Sequence, residues 1–385
     1  MHAAEFDSIT SRVRAISDEW ESQRKERQMR RELSRDDFDQ LADAGFTLTG
    51  VPVSHGGIWG EATESTRHVC EILRILAHGD PSVALVAAMH PGVLLLGFGG
   101  QTPPAPGNQF GTEWDAQRDW AYQCARDGNF WGTITSEAGS GGDVSRTRSS
   151  ARAVEDGYVL TGSKHFGSGT GITSFVITTA VPEGEDVFDE FFLDLRDVPL
   201  DGTAGVEVIA PWDGHGMTAT QSHAVKFTDF PAKRRAWHNA GGELRPVASP
   251  SIACMFASVI VGVVEVAVET ARQQLSSKKD RLSSYEQVEW SRVEMEAWQV
   301  QQLHEGMLRS IADETTRARQ TLLGKTSISD IAETLLTRLS RAIGGSSFSR
   351  QMPYGQWAQD VRALGFLRPP WSLAFDQLHR STWGD

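Results

Sequence analysis

The stretch WGTITSEAGSGGDV, residues 131–144, holds the strongest clue to the fold of this 385-residue chain. Its four glycines and its small hydroxyl side chains are typical both of a phosphate-binding loop and of a solvent-exposed turn. The glycine-rich loop of a dinucleotide-binding fold lies between a strand and a helix, and this stretch does not. Its role therefore has to be inferred from the secondary structure predicted on either side of it.

The composition of the chain argues against several classes of partner. A net charge of −13 disfavours nonspecific binding to nucleic acid or to an anionic membrane surface. We find no run of about 18 apolar residues and no signal peptide, so we expect no membrane span. Cys70, Cys124 and Cys254 lie far apart, without the spacing of a zinc site or a disulfide framework. This spacing favours a reducing cytoplasm and predicts no metal.

Residues 1–128 are predicted to be helical. Apolar residues recur at helical spacing in RELSRDDFDQLADAG, which ends at Gly45, and again in STRHVCEILRILAHGD. Residues 81–99 are apolar on all sides, as in a buried helix, with His90 in the middle. A Pro/Gly-rich loop is predicted over residues 99–111.

Residues 129–240 show a β pattern. Short segments rich in β-branched and aromatic residues alternate with turns, one of which is the Asp156-Gly157 pair of a hairpin. The pattern predicts a β-barrel or β-sandwich of about a hundred residues.

Residues 241–385 return to helical periodicity. A long apolar helix is expected to start at Pro250, with Ser249 as its N-cap. Two further amphipathic helices are expected at roughly 285–318 and 327–343.

This helical, β and helical order, together with several motifs, resembles the acyl-CoA dehydrogenase superfamily over nearly the whole chain. SEAGSGGDV is similar to the strand-and-loop motif TEPxAGSDV of that superfamily, and YVLTGSKHFGSGTG is similar to its YxxxGxK strand. IGGSSFSRQMPYGQWAQDVRAL is similar to its C-terminal GGxGF…P…RD motif. The resemblance implies an α+β fold with an N-terminal helical domain (1–128), a central β-barrel (129–240) and a C-terminal four-helix bundle (241–385).

The same resemblance implies a flavin between barrel and bundle, in a homodimer or homotetramer. The expected cofactor is FAD, with FMN as the alternative. By motif position, small hydroxyls grip the ring edge, Phe166 stands where the family has a ring-stacking tryptophan, and Ser168 is placed near N5. The two glycines are expected where backbone passes close to the cofactor of a neighbouring subunit. The implied cofactor-binding residues are Thr133, Thr135, Ser136, Phe166, Ser168, Gly344 and Gly345.

The sequence departs from the dehydrogenase pattern at the catalytic base. Members of that family place a glutamate either just past the C-terminal RD motif or on the first bundle helix. Here the first position holds Arg368, with no acid before Asp376, and the second falls at about Ile252. Gln359 replaces the arginine of the RD pair. An enzyme that removes an α-proton needs a base within reach of that proton, so ordinary dehydrogenation is in doubt.

A second branch of the superfamily needs no such glutamate. These two-component flavin monooxygenases, of the dibenzothiophene monooxygenase and 4-hydroxyphenylacetate hydroxylase type, take reduced flavin from a separate reductase and use it with O2. FGSG and WDGHGMTATQS in this chain resemble segments of that branch. The candidate catalytic residues are Ser168, the helix histidine His90, Asp376 as a displaced base, and the C-terminal His379.

Three functions stay open from the sequence. The first is a monooxygenase of a small or aromatic metabolite that depends on reduced flavin and O2. The alternative is an acyl-CoA or acyl-carrier-protein dehydrogenase with a relocated base, for which Asp376 is the candidate. The third is a flavin-binding protein without catalysis.

Overall fold

The structure is a computed structural model that describes residues 2–99, 111–239, 241–367 and 369–384. Residues 100–110 of the predicted Pro/Gly loop lie outside the described residues. Arg368, which occupies one of the two expected base positions, also lies outside them.

The N-terminal part is helical, as predicted. Its helices are α1 (His2–Ser22), α2 (Arg24–Arg27), α3 (Arg35–Asp43), α4 (Ala62–Gly79), α5 (Pro81–Phe98) and α6 (Gly111–Arg126). Helix α5 begins where it does because the carboxylate of Asp80 accepts hydrogen bonds from the amides of Ser82 and Val83, and because Pro81 fits the first helical position. The helix is apolar on all sides and lies in the core.

The central part is a closed β-barrel. Its strands are β1 (Trp131–Thr133), β2 (Ser150–Val154), β3 (Gly157–Gly167), β4 (Phe175–Pro182), β5 (Asp189–Asp194), β6 (Val206–Ala210) and β7 (His223–Arg234). Strand β4 pairs with β2, then β3, β7 and β5 follow in order, and β5 pairs back with β4. This ring of five strands is flanked by β1, which runs parallel to β4, and by β6, which pairs with β7.

The barrel follows from the alternation of apolar residues along its strands. Ala151, Leu160, Val176, Leu193 and Val225 each belong to a different strand of the ring and share one buried cluster. Closure of the ring brings the ends of β1, β3 and β7 together, although they are far apart in the sequence.

The C-terminal part is a helical bundle. Its helices are α7 (Gly241–Ser276), α8 (Ser284–Ser310), α9 (Arg317–Ile343), α10 (Tyr354–Gly365) and α11 (Trp371–Trp383). Helices α7, α8, α9 and α10 pack on one another, and α11 lies against α9. The predicted order of helices, barrel and helices is therefore confirmed. The boundaries that we predicted at 128/129 and 240/241 fall between α6 and β1 and directly before α7.

Three predicted helix boundaries in this region were wrong, and the first is the start of α7. Helix α7 begins at Gly241, so Ser249 is not its N-cap and Pro250 lies inside it. A proline removes one main-chain hydrogen bond and usually ends a helix. Here tertiary contacts support the extra turns, because Arg245 lies 2.7 Å from Glu190 of the barrel and Ala248 is buried.

The helix predicted over 285–318 ends at Ser310, and the helix predicted from 327 begins at Arg317. Asp313 accounts for the break, because its carboxylate accepts hydrogen bonds from the amide and hydroxyl of Thr315 at 2.9 and 2.7 Å. Such local side-chain bonds compete with the helical ones and form a turn.

Two helices are long and apolar enough to cross a membrane by composition alone, which corrects our expectation that no segment qualifies. They are α5 and the part of α7 from Arg245 to Ser276. In the fold, 89% and 78% of their apolar windows are buried. Both therefore have the burial of core helices.

Candidate functional site

The end of β1 and the end of β3 lie side by side on the barrel. The amide of His165 donates to the carbonyl oxygen of Ser136 at 2.8 Å, and Thr178 donates its hydroxyl hydrogen to the carbonyl oxygen of Ile134 at 2.6 Å. Thr133 and Ser168 line one small cavity. The fold therefore brings together the two segments that carry five of the predicted binding residues.

Phe166 has a strained backbone and an exposed ring. Its φ is +59°, a left-handed conformation that a bulky residue rarely adopts, and 66% of its surface is exposed. The next residue is a glycine because a Cβ at Gly167 would collide with the side chain of Ile134. Strained conformations of this kind cluster at ligand-binding sites. The ring lies edge-on to Trp212, with centroids 6.2 Å apart.

A buried ion pair anchors the loop that follows Ser136. The Nζ atom of Lys164 lies 2.7 Å from Glu137 Oε1 and 2.6 Å from the carbonyl oxygen of Thr179. Ser149 donates both its amide and its hydroxyl hydrogen to Glu137. Burial alone would raise the pKa of Glu137, but the hydrogen bonds from Lys164 and Ser149 lower it to about 2. The loop is thus fixed to the barrel wall by an ionised carboxylate.

Ser168 lies at the end of a chain of hydroxyl groups. Its amide donates to the carbonyl oxygen of Phe166 at 3.0 Å, and its hydroxyl lies 2.8 Å from that of Ser222. The hydroxyl of Ser222 lies 2.7 Å from that of Thr220, which donates to the carbonyl oxygen of Met217 at 2.8 Å. Because the main-chain amide of Ser168 already donates to Phe166, the hydroxyl oxygen is the polar atom of this residue that can bind a ligand.

Trp212, Thr220 and Ser222 were not among the residues that we predicted for the site. Trp212 donates its amide hydrogen to Nδ1 of His223 and its ring hydrogen to the carbonyl oxygen of Met217, both at 2.8 Å. The signal that identifies these residues is the segment WDGHGMTATQS, which resembles the monooxygenase branch. The resemblance of that segment indicated the branch but assigned no role to its hydroxyls, so Thr220 and Ser222 were missed.

Asp360 joins the bundle to this part of the barrel. The main-chain amide of Met217 donates to Oδ1 of Asp360 at 2.6 Å, and the side-chain amide of Gln356 donates to the same oxygen at 2.8 Å. Burial raises the pKa of Asp360 to about 7. The preceding residue, Gln359, replaces the arginine of the family motif, and its backbone packs directly on Gly216.

The geometry does not support the prediction that His90 is catalytic. Its Nε2 lies 2.8 Å from the carbonyl oxygen of Thr47, and its Nδ1 accepts the amide hydrogen of Trp131 at 3.0 Å. The side chain is fully buried, and burial lowers its pKa to about 4. A neutral imidazole with both nitrogens engaged ties α5 to the start of β1, which is a structural role.

The structure places Asp376 and His379 on the exposed face of α11. Asp376 forms an ion pair with Arg380 at 2.6 Å, one helical turn away. Among the described residues, no hydrogen bond or ion pair joins Asp376 or His379 to Ser168. The start of α11 nevertheless lies against the glycine-rich loop, because Pro370 and Leu373 are close to Gly142.

Gly344 and Gly345 end helix α9 and start the next short turn. Gly344 has a φ of +90°, and its main-chain hydrogen bonds run to Ser340 and Ser347. A Cβ at either glycine would meet open space. The two glycines thus leave open backbone at the end of α9.

The base position on the first bundle helix is apolar. Ile252 is partly buried in the main core and faces Gly92 of α5, whose added Cβ would lie 3.3 Å from an Ile252 side-chain carbon. Glu265, the first acid further along α7, is paired with Arg74 and His78 at 2.6 and 3.0 Å. Between Ile252 and Glu265, α7 therefore offers no carboxylate as a base.

Comparison with known proteins decides the fold. No family model matches the chain. A dibenzothiophene monooxygenase of Rhodococcus qingshengii is 25% identical over 296 residues, which cover 70% of this chain and 63% of that protein. The chain thus spans less than two thirds of the length of this relative.

Two solved structures superpose over almost the whole chain. KijD3, in complex with FMN and a dTDP-linked sugar, gives a TM-score of 0.82 at 19% identity and covers 99% of this chain and 94% of that chain. FMN-bound TdsC of Paenibacillus sp. A11-2, a dibenzothiophene monooxygenase, gives 0.76 at 18% identity and covers 97% of both chains. The chain has the acyl-CoA dehydrogenase fold.

In an acyl-CoA dehydrogenase fold, the barrel cluster can be tested for its fit to a flavin. A flavin ring has a flat apolar face and an edge of hydrogen-bonding groups. Phe166 offers an exposed aromatic face, and the hydroxyls of Thr133, Thr135, Ser136 and Ser168 offer short polar groups beside it. The chemistry of these groups fits the cofactor.

Proposed function

We propose that this chain is a monooxygenase that binds reduced flavin, uses O2 and oxygenates a small or aromatic metabolite. The proposal rests on one observation: the chain lacks the catalytic glutamate of a dehydrogenase but keeps residues that fit a flavin ring. Ile252 stands where a dehydrogenase of this fold would hold its glutamate, whereas Phe166 and Ser168 keep the groups that fit a flavin. The similarity to a dibenzothiophene monooxygenase supports the same reading.

The residues of the chain would bind and orient the cofactor. Phe166 would cover one face of the ring, and Thr133, Thr135 and Ser136 would bind its pyrimidine edge. Ser168 would reach N5. The flavin, when bound in its reduced form, supplies the electrons with which O2 is activated. The protein contributes position and exclusion of water, which such chemistry requires.

We favour FMN over FAD as this cofactor. The support is that both KijD3 and TdsC were solved with FMN. We further propose a homodimer or homotetramer in the cytoplasm, with the open backbone of Gly344 and Gly345 facing the cofactor of a neighbouring subunit. A separate flavin reductase would supply the reduced cofactor. The substrate class rests on the indole that TdsC binds.

The decisive experiment combines binding with isotope labelling. The protein is titrated anaerobically with reduced FMN and with reduced FAD, then mixed with ¹⁸O2 in the presence of indole or dibenzothiophene. Incorporation of ¹⁸O into either probe supports the proposal. Failure to bind reduced flavin would overturn it, and so would bleaching of the bound oxidised flavin by an acyl-CoA without any reductase. The matched control is Thr66→Val, which removes a buried hydroxyl that donates to Ser251 between α4 and α7, outside the barrel.

A further inference from the structure

Ser168, Ser222 and Thr220 form a chain of hydroxyls that ends on a main-chain carbonyl. The successive oxygen–oxygen distances are 2.8 Å from Ser168 to Ser222, 2.7 Å from Ser222 to Thr220, and 2.8 Å from Thr220 to the carbonyl of Met217. Thr220 is fully buried and Ser222 is 8% exposed. The chain therefore runs from the candidate flavin site into the interior.

The carbonyl end determines the direction of every hydrogen bond in the chain. A carbonyl oxygen can only accept, so the hydroxyl of Thr220 has to donate to Met217. Thr220 has one hydroxyl hydrogen and has thereby used it, so Ser222 donates to Thr220. Ser222 is then committed as well, and Ser168 donates to Ser222. The opposite order would place the oxygens of Thr220 and Met217 at 2.8 Å with no hydrogen between them.

The terminal carbonyl is held in place from several directions. The ring nitrogen of Trp212 donates to the same oxygen of Met217 at 2.8 Å. On the other side of the residue, the amide of Met217 donates to Asp360 at 2.6 Å. Met217 also has a φ of +51°, so its peptide groups are oriented by these bonds and not by a regular helix or strand. The carbonyl cannot turn away without breaking the hydrogen bonds from Trp212 and Thr220.

Towards a ligand, Ser168 can act only as a hydrogen-bond acceptor. Its single hydroxyl hydrogen is donated to Ser222, so a lone pair of its oxygen is left for the ligand. Linked hydroxyls also polarise one another, which strengthens the acceptor at the open end. The N5 atom of a reduced flavin carries a hydrogen, whereas the N5 atom of an oxidised flavin has a lone pair and can only accept.

We propose that Thr220 and Ser222 are positioning residues that hold Ser168 as a hydrogen-bond acceptor, so that the site prefers reduced to oxidised flavin. This inference rests on the proposed function and adds to it a preference for one redox form. The preference suits an enzyme that receives reduced flavin from a separate protein and releases the oxidised form after turnover. It assigns roles to two residues that do not themselves touch the ring.

The test measures the ratio of two dissociation constants. Binding of oxidised FMN is followed by fluorescence quenching, and binding of dithionite-reduced FMN is measured anaerobically by calorimetry. The wild-type protein is expected to bind reduced FMN more tightly. Thr220→Val is nearly isosteric and removes the hydroxyl of residue 220, while Trp212 and the main-chain amide of residue 220 still donate to Met217. Ser222 is then free to donate towards Ser168. We expect the preference for reduced FMN to fall about tenfold, the effect of one ordinary hydrogen bond. Ser222→Ala is expected to act in the same direction.

Three controls separate this polarity effect from a general structural effect. Thr220→Ser keeps the hydroxyl and is expected to keep the wild-type ratio. Thr66→Val removes a buried hydroxyl between α4 and α7 and is expected to leave the ratio unchanged. In a Ser168→Ala background, Thr220→Val is expected to have no further effect on the ratio, because the residue through which it acts is absent.

The outcomes distinguish this inference from the proposed function. If Thr220→Val and Ser222→Ala weaken both redox forms of FMN equally, or leave the ratio as it is, the inference is wrong even when the enzyme oxygenates its probe. It is equally wrong if Thr220→Val alters the ratio without Ser168. If the wild-type protein binds neither form of FMN or FAD, the proposed function fails first and the inference falls with it.

Discussion

The ammonium group of Lys164 lies 2.7 Å from a carboxylate oxygen of Glu137, and both side chains are buried in the barrel wall. Glu137 directly follows Ser136, and Lys164 stands two residues before Phe166. The ion pair therefore joins the two segments that carry the proposed flavin-binding residues. The ion pair thereby fixes the start of the glycine-rich loop 137–144, next to the hydroxyl groups of Thr133, Thr135 and Ser136.

Removing only the cation should destabilise the protein strongly. Lys164→Met leaves Glu137 buried and charged without its partner, so we expect the free energy of unfolding to fall by about 3–5 kcal/mol. The double variant Lys164→Met/Glu137→Gln removes both charges and should recover part of that loss. Urea unfolding near neutral pH measures both values. Arg272→Met, which breaks the exposed pair with Glu269, should cost less than about 1 kcal/mol. An equal loss in the two single variants would contradict the prediction.

The same pair predicts a response to acid. The pKa of Glu137 is about 2 in the folded protein and 4.5 in its ordinary state, so its stabilisation is present above pH 4.5 and lost as the pH falls towards 2. The double variant lacks this carboxylate. Its free energy of unfolding should therefore fall less steeply over that interval than that of the wild type.

His90 should prove to be a structural residue. His90→Leu leaves the carbonyl of Thr47 and the amide of Trp131 without a partner, at about 1–3 kcal/mol for each buried group. The melting temperature should fall, while the rate of product formation per folded molecule stays close to that of the wild type. The folded pKa of about 4 lies below the usual 6.5, so the wild type loses stability as the pH falls through this interval, and His90→Leu should lack that component. Loss of product formation at unchanged stability would instead restore His90 as a catalytic residue.

The sequence was a good guide to the fold because helical and strand periods are local signals. The order of elements, the buried helix around His90 and the Asp156-Gly157 turn were all predicted from such patterns, and the order is confirmed. The start of α7 was missed because a local cap signal at Ser249 and Pro250 was outweighed by the tertiary contact of Arg245 with Glu190. Propensity is a weak guide where such contacts compete.

The site was harder to predict because its contacts are not local. Ser168 and Ser222 are 54 residues apart and meet only when β3 and β7 pair in the closed barrel. The positive φ of Phe166 leaves no trace in residue type, since a phenylalanine normally signals an ordinary strand position. The pKa of Asp360 likewise depends on burial at its contact with Met217, which is 143 residues away in the sequence.

Asp360 should make the protein less stable at higher pH. Its folded pKa of about 7 lies above the ordinary 3.8, so the neutral carboxyl contributes stability that is fully present below pH 3.8 and lost as the pH rises through about 7. Asp360→Asn keeps an oxygen for the bonds from Met217 and Gln356, both of which reach the same atom. The variant should be more stable than the wild type near pH 8, by roughly 2–4 kcal/mol at 1.36 kcal/mol per pKa unit. Urea unfolding at several pH values measures this, and parallel pH profiles for the two proteins would refute it.

Replacing Phe166 with glycine should stabilise the protein and weaken its binding of FMN. Phe166→Gly relieves a left-handed conformation that costs a side chain about 1–2 kcal/mol, and it adds about 0.5–1 kcal/mol of chain entropy to the unfolded state. The free energy of unfolding should therefore rise by up to about 1 kcal/mol, although a large side chain has been removed. Affinity for FMN should fall by about fivefold to a hundredfold, because stacking on an aromatic ring contributes about 1–3 kcal/mol.

The matched control for Phe166→Gly is Asp197→Gly, since Asp197 is exposed and has a φ of +56° but lies outside the cluster. It should relieve similar strain without any change in FMN affinity. Thermal unfolding and FMN titration of both variants separate the two effects. If Phe166→Gly destabilised the protein and left FMN binding intact, the exposed ring would belong to the packing of the barrel, and the strained backbone at this position would have no role in holding the cofactor.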